Sequence, residues 1–251
     1  MIAHYLRKIS GKKRHRILNL RLARYLTFVA GAINAGGFLT VKQYTSHMSG
    51  IVASIGDNLA IGQIQLVLAS FVALLSFASG AAFTAIVVNW GRRARIQSQY
   101  ALPLIAEAVL LIFFGIIAAN TSKTTEEFVT VTIVLLCFLM GLQNALITKL
   151  SNTEIRTTHV TGMVTDLGIE FGKLFYWNAK EISLQEGFVN ASKAKMQTLS
   201  SLIFLFLIGG VIGAIGFKVV GFLFTLPLAL LLFTLAIVPV WDDLRSRHLA
   251  I

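Results

Sequence analysis

The sequence is poor in charge. Lys, Arg, Asp and Glu make up 13% of the 251 residues, and apolar residues make up 56%. A soluble domain carries about 25% charged residues, so this deficit excludes an ordinary soluble fold and points to a membrane protein. Cysteine is nearly absent. The single Cys137 lies in an apolar run, which excludes an intrachain disulfide and any thiol-rich metal pattern. No phosphate-binding Gly-rich loop, no His-Glu-x-x-His and no Gly-x-Ser-x-Gly occurs. ATP-driven, metalloprotease and serine-hydrolase chemistry therefore have no visible foothold. Acid is missing from residues 1–24, which carry eight Lys/Arg. The formal net charge of +11 would suit a nucleic-acid partner, but the cations gather at the ends of apolar runs. Orientation in a membrane explains that better.

What is present is a set of uncharged apolar runs and one motif that occurs twice. The runs are 25–41, 64–91, 101–122 (interrupted only by Glu107), 128–148, 196–217 and 219–241. Each reaches or approaches the ~20 residues that cross a bilayer core. The motif is Thr45-Ser46-His47-Met48-Ser49-Gly50, repeated as Thr157-Thr158-His159-Val160-Thr161-Gly162. Upstream, Phe28-x-x-Gly31-x-x-Asn34 recurs as Phe138-x-x-Gly141-x-x-Asn144. The offset is 110 residues from Phe28 to Phe138 and 112 from His47 to His159. A period this long is a duplicated half. Leu102-Pro103-Leu104 and Leu226-Pro227-Leu228 mark the third span of each half.

The two motif segments are too polar for ordinary spans. With six crossings and the N-terminus inside, 19 Lys/Arg fall inside and 3 outside; with eight crossings the split is 15 to 7. The positive-inside rule favours six. Three spans then separate the copies, and an odd number inverts the second half. The expected fold class is all-α: a polytopic bundle of six transmembrane helices plus two short broken or re-entrant helices, at 47–60 and 159–173, in an inverted repeat. The expected organisation is a basic cytoplasmic tail 1–24, halves 25–122 and 128–241 with a cytoplasmic loop about 176–195, and a cytoplasmic tail 242–251. Both termini are expected inside and Lys123 outside. The motifs are expected to meet in the interior rather than face lipid.

Candidate substrate-binding residues follow from the repeat: Asn34, His47, Ser49, Gly50, Gln143, Asn144, Arg156, Thr158, His159, Thr161 and Gly162. Amides line a polar site or join helices. His, Ser/Thr and Gly at a helix start bind an anion or merely cap the helix. Arg156 offers a planar fork for carboxylate or phosphate, with the positive-inside rule or a pair with Glu154 as the plainer alternative. Glu107 is the only acid in a strong span and is a candidate for proton coupling, with a helix-joining hydrogen bond as the plainer alternative. Ser76, Gly80, Thr84, Gly209 and Gly213 fit close helix packing. His159 and Asp166 lack compact metal-ligand spacing.

Gly31-x-x-Asn34 with His47-Met48-Ser49-Gly50, then Met140-Gly141-Leu142-Gln143-Asn144-Ala145, then Arg156-Thr157-Thr158-His159-Val160-Thr161-Gly162, resembles the YoaK-like family of bacterial integral membrane proteins. Ser49 and Ile51 stand where that family usually has Thr and Asn. The resemblance implies a six-span inner-membrane protein and assigns no chemistry. The leading expectation is a small secondary transporter or channel-like carrier for a small solute or anion. A non-transporting scaffold or sensor comes second, and a membrane-embedded enzyme third. Expected partners are the lipid bilayer and a small-molecule or ion substrate, with no nucleic acid, cofactor or metal; a homo-oligomer stays open.

Overall fold

The computed structural model describes residues 2–12, 15–120, 125–152, 155–177 and 189–248, all helix or short connection. The helices are α1 (Ile2–Ser10), α2 (Arg16–Val41), α3 (Met48–Ala60), α4 (Ile64–Arg93), α5 (Ala101–Asn120), α6 (Glu126–Ser151), α7 (Val160–Phe175), α8 (Lys193–Val220) and α9 (Thr225–His248). Long apolar runs become helices because only internal backbone hydrogen bonds satisfy N–H and C=O groups away from water. Among the described residues, five stretches are long and apolar enough to cross a membrane: 16–41, 64–93, 101–120, 126–151 and 193–246. The last is 54 residues long and consists of α8 and α9 joined by a 3-10 turn at Gly221–Phe224. Gly221 takes a left-handed φ of 69° at that break, a conformation glycine adopts without a Cβ penalty.

Local signals recur half by half. α2 and α6 both end on a left-handed residue, Lys42 and Asn152, whose N–H returns to the carbonyls of Phe38 and Thr148. α5 and α9 both carry proline in the first turn, at Pro103 and Pro227, where a missing N–H costs nothing. α3 and α7 start directly after His47 and His159.

Packing crosses between the halves. α2 lies on α8, α4 on α6, α5 on α9, and α2 also meets α6. The first two pairs use one device. A Cβ on Gly31 would collide with the carbonyl of Phe206, and a Cβ on Gly209 with that of Phe28. Likewise Gly141 abuts the Phe77 carbonyl and Gly80 the Phe138 carbonyl. Four Phe-x-x-Gly signatures thus interlock two by two, letting backbones touch where lipid offers no hydrophobic drive for helix association. Ser76 Oγ donates to the Val134 carbonyl at 2.5 Å and Thr84 Oγ1 to the Leu142 carbonyl at 3.0 Å, fastening α4 to α6.

The terminal segments carry structure of their own. α1 packs on α9, Ile9 is fully buried, and Ser10 Oγ donates to the Leu235 carbonyl at 2.5 Å. α2 begins at Arg16 and buries Leu22 and Ala23. Residues 242–248 continue α9. Asp242 pairs with Arg7, and Asp243 accepts the N–H groups of Gln97 and Ser98 at 2.9 and 2.7 Å. In a basic chain these two acids give the N-terminus and the α4–α5 turn their partners. Much of the 176–195 loop and the Lys123 turn lie outside the described residues, and α8 claims the loop's last three positions.

Candidate functional site

Both motifs are held by the asparagine that precedes them. Asn34 Oδ1 accepts the Ser46 N–H at 3.2 Å and its hydroxyl at 2.9 Å. Asn144 Oδ1 accepts the hydroxyls of Thr158 at 2.8 Å and Thr157 at 3.4 Å. Thr45 and Thr157 are fully buried beneath these staples. Each asparagine fixes the turn that launches a short helix, which is why the Asn-to-His spacing recurs within two residues.

The histidines are the N-cap residues of α3 and α7, and neither makes a side-chain cap bond. Instead each imidazole folds over its helix start. A Cβ on Gly50 would strike the His47 ring, and one on Gly162 the His159 ring. The glycine three residues on is therefore a seat for the ring. Arg156 Nη1 lies 3.4 Å from His159 Nδ1.

These parts converge on a cavity of about 800 Å3. Its wall pairs Asn34 with Asn144, Ser46 with Thr158, His47 with His159, Ser49 with Thr161, and Phe77 with Phe206. Tyr44 and Arg156 occupy equivalent positions, three residues before each histidine. Met48 and Val160, the first residues of α3 and α7, also line it, so two positive helix ends face the space. Among the described residues no Asp or Glu is on its wall, and Arg156 is its one permanent charge. A second cavity of about 880 Å3 shares Tyr44 and His47 with the first and runs past Lys42, Ser54, Asn58, Ser70 and Glu126.

Four sequence candidates lie elsewhere. Gly50 and Gly162 sit under the histidines rather than on the first cavity's wall, although Gly50 borders the second. Gln143 turns away from its neighbour Asn144. Its Nε2 donates to Glu107 Oε1 at 3.1 Å, and both side chains are fully buried. Glu107 thus joins α5 to α6 behind the wall, and its Oε2 has no partner among the described residues.

Only the N-terminal ends of the short helices reach the cavity. α3 buries Ile51 alone and α7 buries Met163 and Glu170, while Val52, Leu59, Val164, Ile169 and Phe171 are exposed. A helix that packs along one side only leaves the rest of its circumference outward. Sequence reasoning missed Phe77 and Phe206. Their signal was present, because the Phe-x-x-Gly of α2 and α6 also occurs as Phe77-x-x-Gly80 and Phe206-x-x-Gly209.

Long apolar helices around a polar cavity define a multi-pass membrane protein. Within that class, the chain belongs to the family described as "Protein of unknown function (DUF1275)", which matches residues 22–238. It is 28% identical over 174 residues to the UPF0700 transmembrane protein YoaK of Bacillus subtilis (strain 168), covering 68% of this chain and 75% of that protein. No solved structure matches.

Proposed function

We propose that this protein is a small secondary transporter of a bacterial inner membrane. Six helices cross, both termini are cytoplasmic, and the halves are related by a pseudo-two-fold axis in the membrane plane. The observation that carries this reading is the convergence of both repeated motifs on one polar cavity of about 800 Å3. Carriers built from inverted repeats hold substrate where short or broken helices meet. The adjoining cavity, sharing Tyr44 and His47, is the outer vestibule.

The second half supplies the inner closure. Asp166 and Glu170 are the seventh and eleventh residues of α7, and Lys195 is the third of α8. Lys195 Nζ lies 3.4 Å from Asp166 Oδ2 and 3.8 Å from Glu170 Oε1. The same positions in α3 and α4 are Ser54, Asn58 and Leu66, which line the vestibule. The halves thus differ in charge at equivalent places, as a carrier open on one side and latched on the other requires. Glu107, bonded to Gln143 next along the chain from the wall residue Asn144, is the candidate for proton coupling. The test is counterflow into proteoliposomes across a panel of metabolites and ions, repeated with Glu107→Gln at several pH values. Saturable counterflow is expected. Absence of counterflow for every solute supports the scaffold or sensor reading instead.

A further inference from the structure

The cavity's departure from its own symmetry points to the class of solute. Building on the carrier reading, we infer that the solute is a small organic acid, held with its anionic group at Arg156 and its uncharged body towards Tyr44 and the two phenylalanines.

Five wall pairs are alike or nearly so across the repeat: amide with amide, imidazole with imidazole, hydroxyl with hydroxyl twice, and phenyl with phenyl. One pair differs in kind. A phenol at Tyr44 stands where the second half places a guanidinium at Arg156. The cavity therefore has one cationic pole and one aromatic pole. Among the described residues of the wall Arg156 is the one charge, so a cationic solute meets a like charge there. His159 engages one terminal nitrogen of the guanidinium, and a guanidinium carries five N–H donors, so donors remain for a carboxylate. The uncapped first turns of α3 and α7 add positive potential.

Size argues against a bare inorganic ion. A volume of about 800 Å3 falls in the range of metabolite pockets, roughly 300–1,000 Å3. Phosphate or chloride alone would leave most of it to water, and Phe77 and Phe206 would face that water for no gain. Tyr44 stacks on Phe38 with ring centroids 4.6 Å apart, and Tyr44 itself lines both the cavity and the vestibule. An acid entering from that side meets the aromatic pole first and the cation last.

The experiment is equilibrium binding to the purified full-length protein in detergent, read by heat and by shift in unfolding temperature. The probes are benzoate, butyrate, their neutral amides, butylamine and inorganic phosphate. Both carboxylates are expected to bind, with amides and butylamine at least tenfold weaker and phosphate weaker than benzoate. Arg156→Lys should weaken both carboxylates about tenfold while the ligand-free unfolding temperature stays put, because a point charge replaces the bidentate fork. Tyr44→Ala should weaken benzoate more than butyrate. Amide or amine binding equal to the carboxylates overturns the inference, as does phosphate binding as tightly as benzoate, or unchanged binding by Arg156→Lys. Failure of both carboxylates overturns it too. Counterflow of a neutral or cationic solute would then leave the carrier reading standing without an acid site.

Discussion

The glycines differ in what a side chain would meet, and the difference is measurable residue by residue. Gly31, Gly80, Gly141 and Gly209 each abut a backbone carbonyl of another helix, which cannot move without moving that helix. Gly56 and Gly168 in the short helices have nothing within 4 Å of a built Cβ. Gly141→Ala and Gly31→Ala are expected to destabilise the protein by about 1–3 kcal/mol through overpacking. Gly56→Ala and Gly168→Ala should be neutral or stabilise by up to ~1 kcal/mol, since alanine favours helix. Unfolding midpoints in detergent decide this. Equal effects at all four positions would mean the interlock is not holding the pairs together. The tight glycines of α2 and α6 were legible in the sequence from their repetition. The role of Gly50 and Gly162 was not, because a helix start with glycine reads as backbone freedom until the imidazole is seen lying over it.

At the scale of elements, α7 is fastened to α8 by charge while α3 and α4 meet through uncharged groups. Ser54 and Ser70 hydroxyls lie 2.9 Å apart in the first half. In the second, Glu170 accepts the Ser192 N–H at 2.7 Å and the Lys173 ammonium at 2.9 Å. The Ser192 N–H, and then Lys173, hold the Glu170 carboxyl below the ordinary carboxylate range. A lowered value means the fastening is fully present above the ordinary carboxylate pKa and is lost as the pH falls through the lowered one. In a Cys137→Ala background, Met163→Cys on the buried face of α7 should react slowly with a water-soluble thiol reagent. Adding Lys195→Ala or Glu170→Gln should speed that reaction severalfold at neutral pH. No change in either variant would remove the latch. The helix spans themselves were legible from hydropathy, and both short helices from the repeat. The docking of α1 on α9 was not, because eight cations in 24 residues outweigh the buried Ile9 and Ser10 in any reading of composition. The exposed flanks of α3 and α7 were hidden for a related reason: polarity marks the end that enters the cavity and says nothing of the helix's far side.

For the whole molecule, the proposed carrier needs one cavity reached in turn from two faces. The repeat was legible because the same Asn, His and Gly recur at spacings that agree within two residues; in the structure Asn34, His47, Asn144 and His159 line one wall, while Gly50, Gly162 and Gln143 do not. What it hid was the asymmetry, since Tyr44 against Arg156 acquires meaning only once both are seen on one surface. The proposed six crossings, which divide Lys/Arg 19 to 3, put residue 123 and the C-terminus on opposite sides of the membrane. Reporter fusions at those points are expected to give opposite signals. The same signal at both would end the six-crossing arrangement. The most direct measurement of the central claim is two-sided access to a single cysteine, Ser49→Cys in a Cys137→Ala background, using a membrane-impermeant thiol reagent on right-side-out and inside-out vesicles. The account predicts labelling from the outer face through the vestibule, and labelling from the inner face that Lys195→Ala accelerates. Labelling from one face alone, unchanged by Lys195→Ala, would contradict alternating access and leave the cavity as a fixed recess in a membrane scaffold.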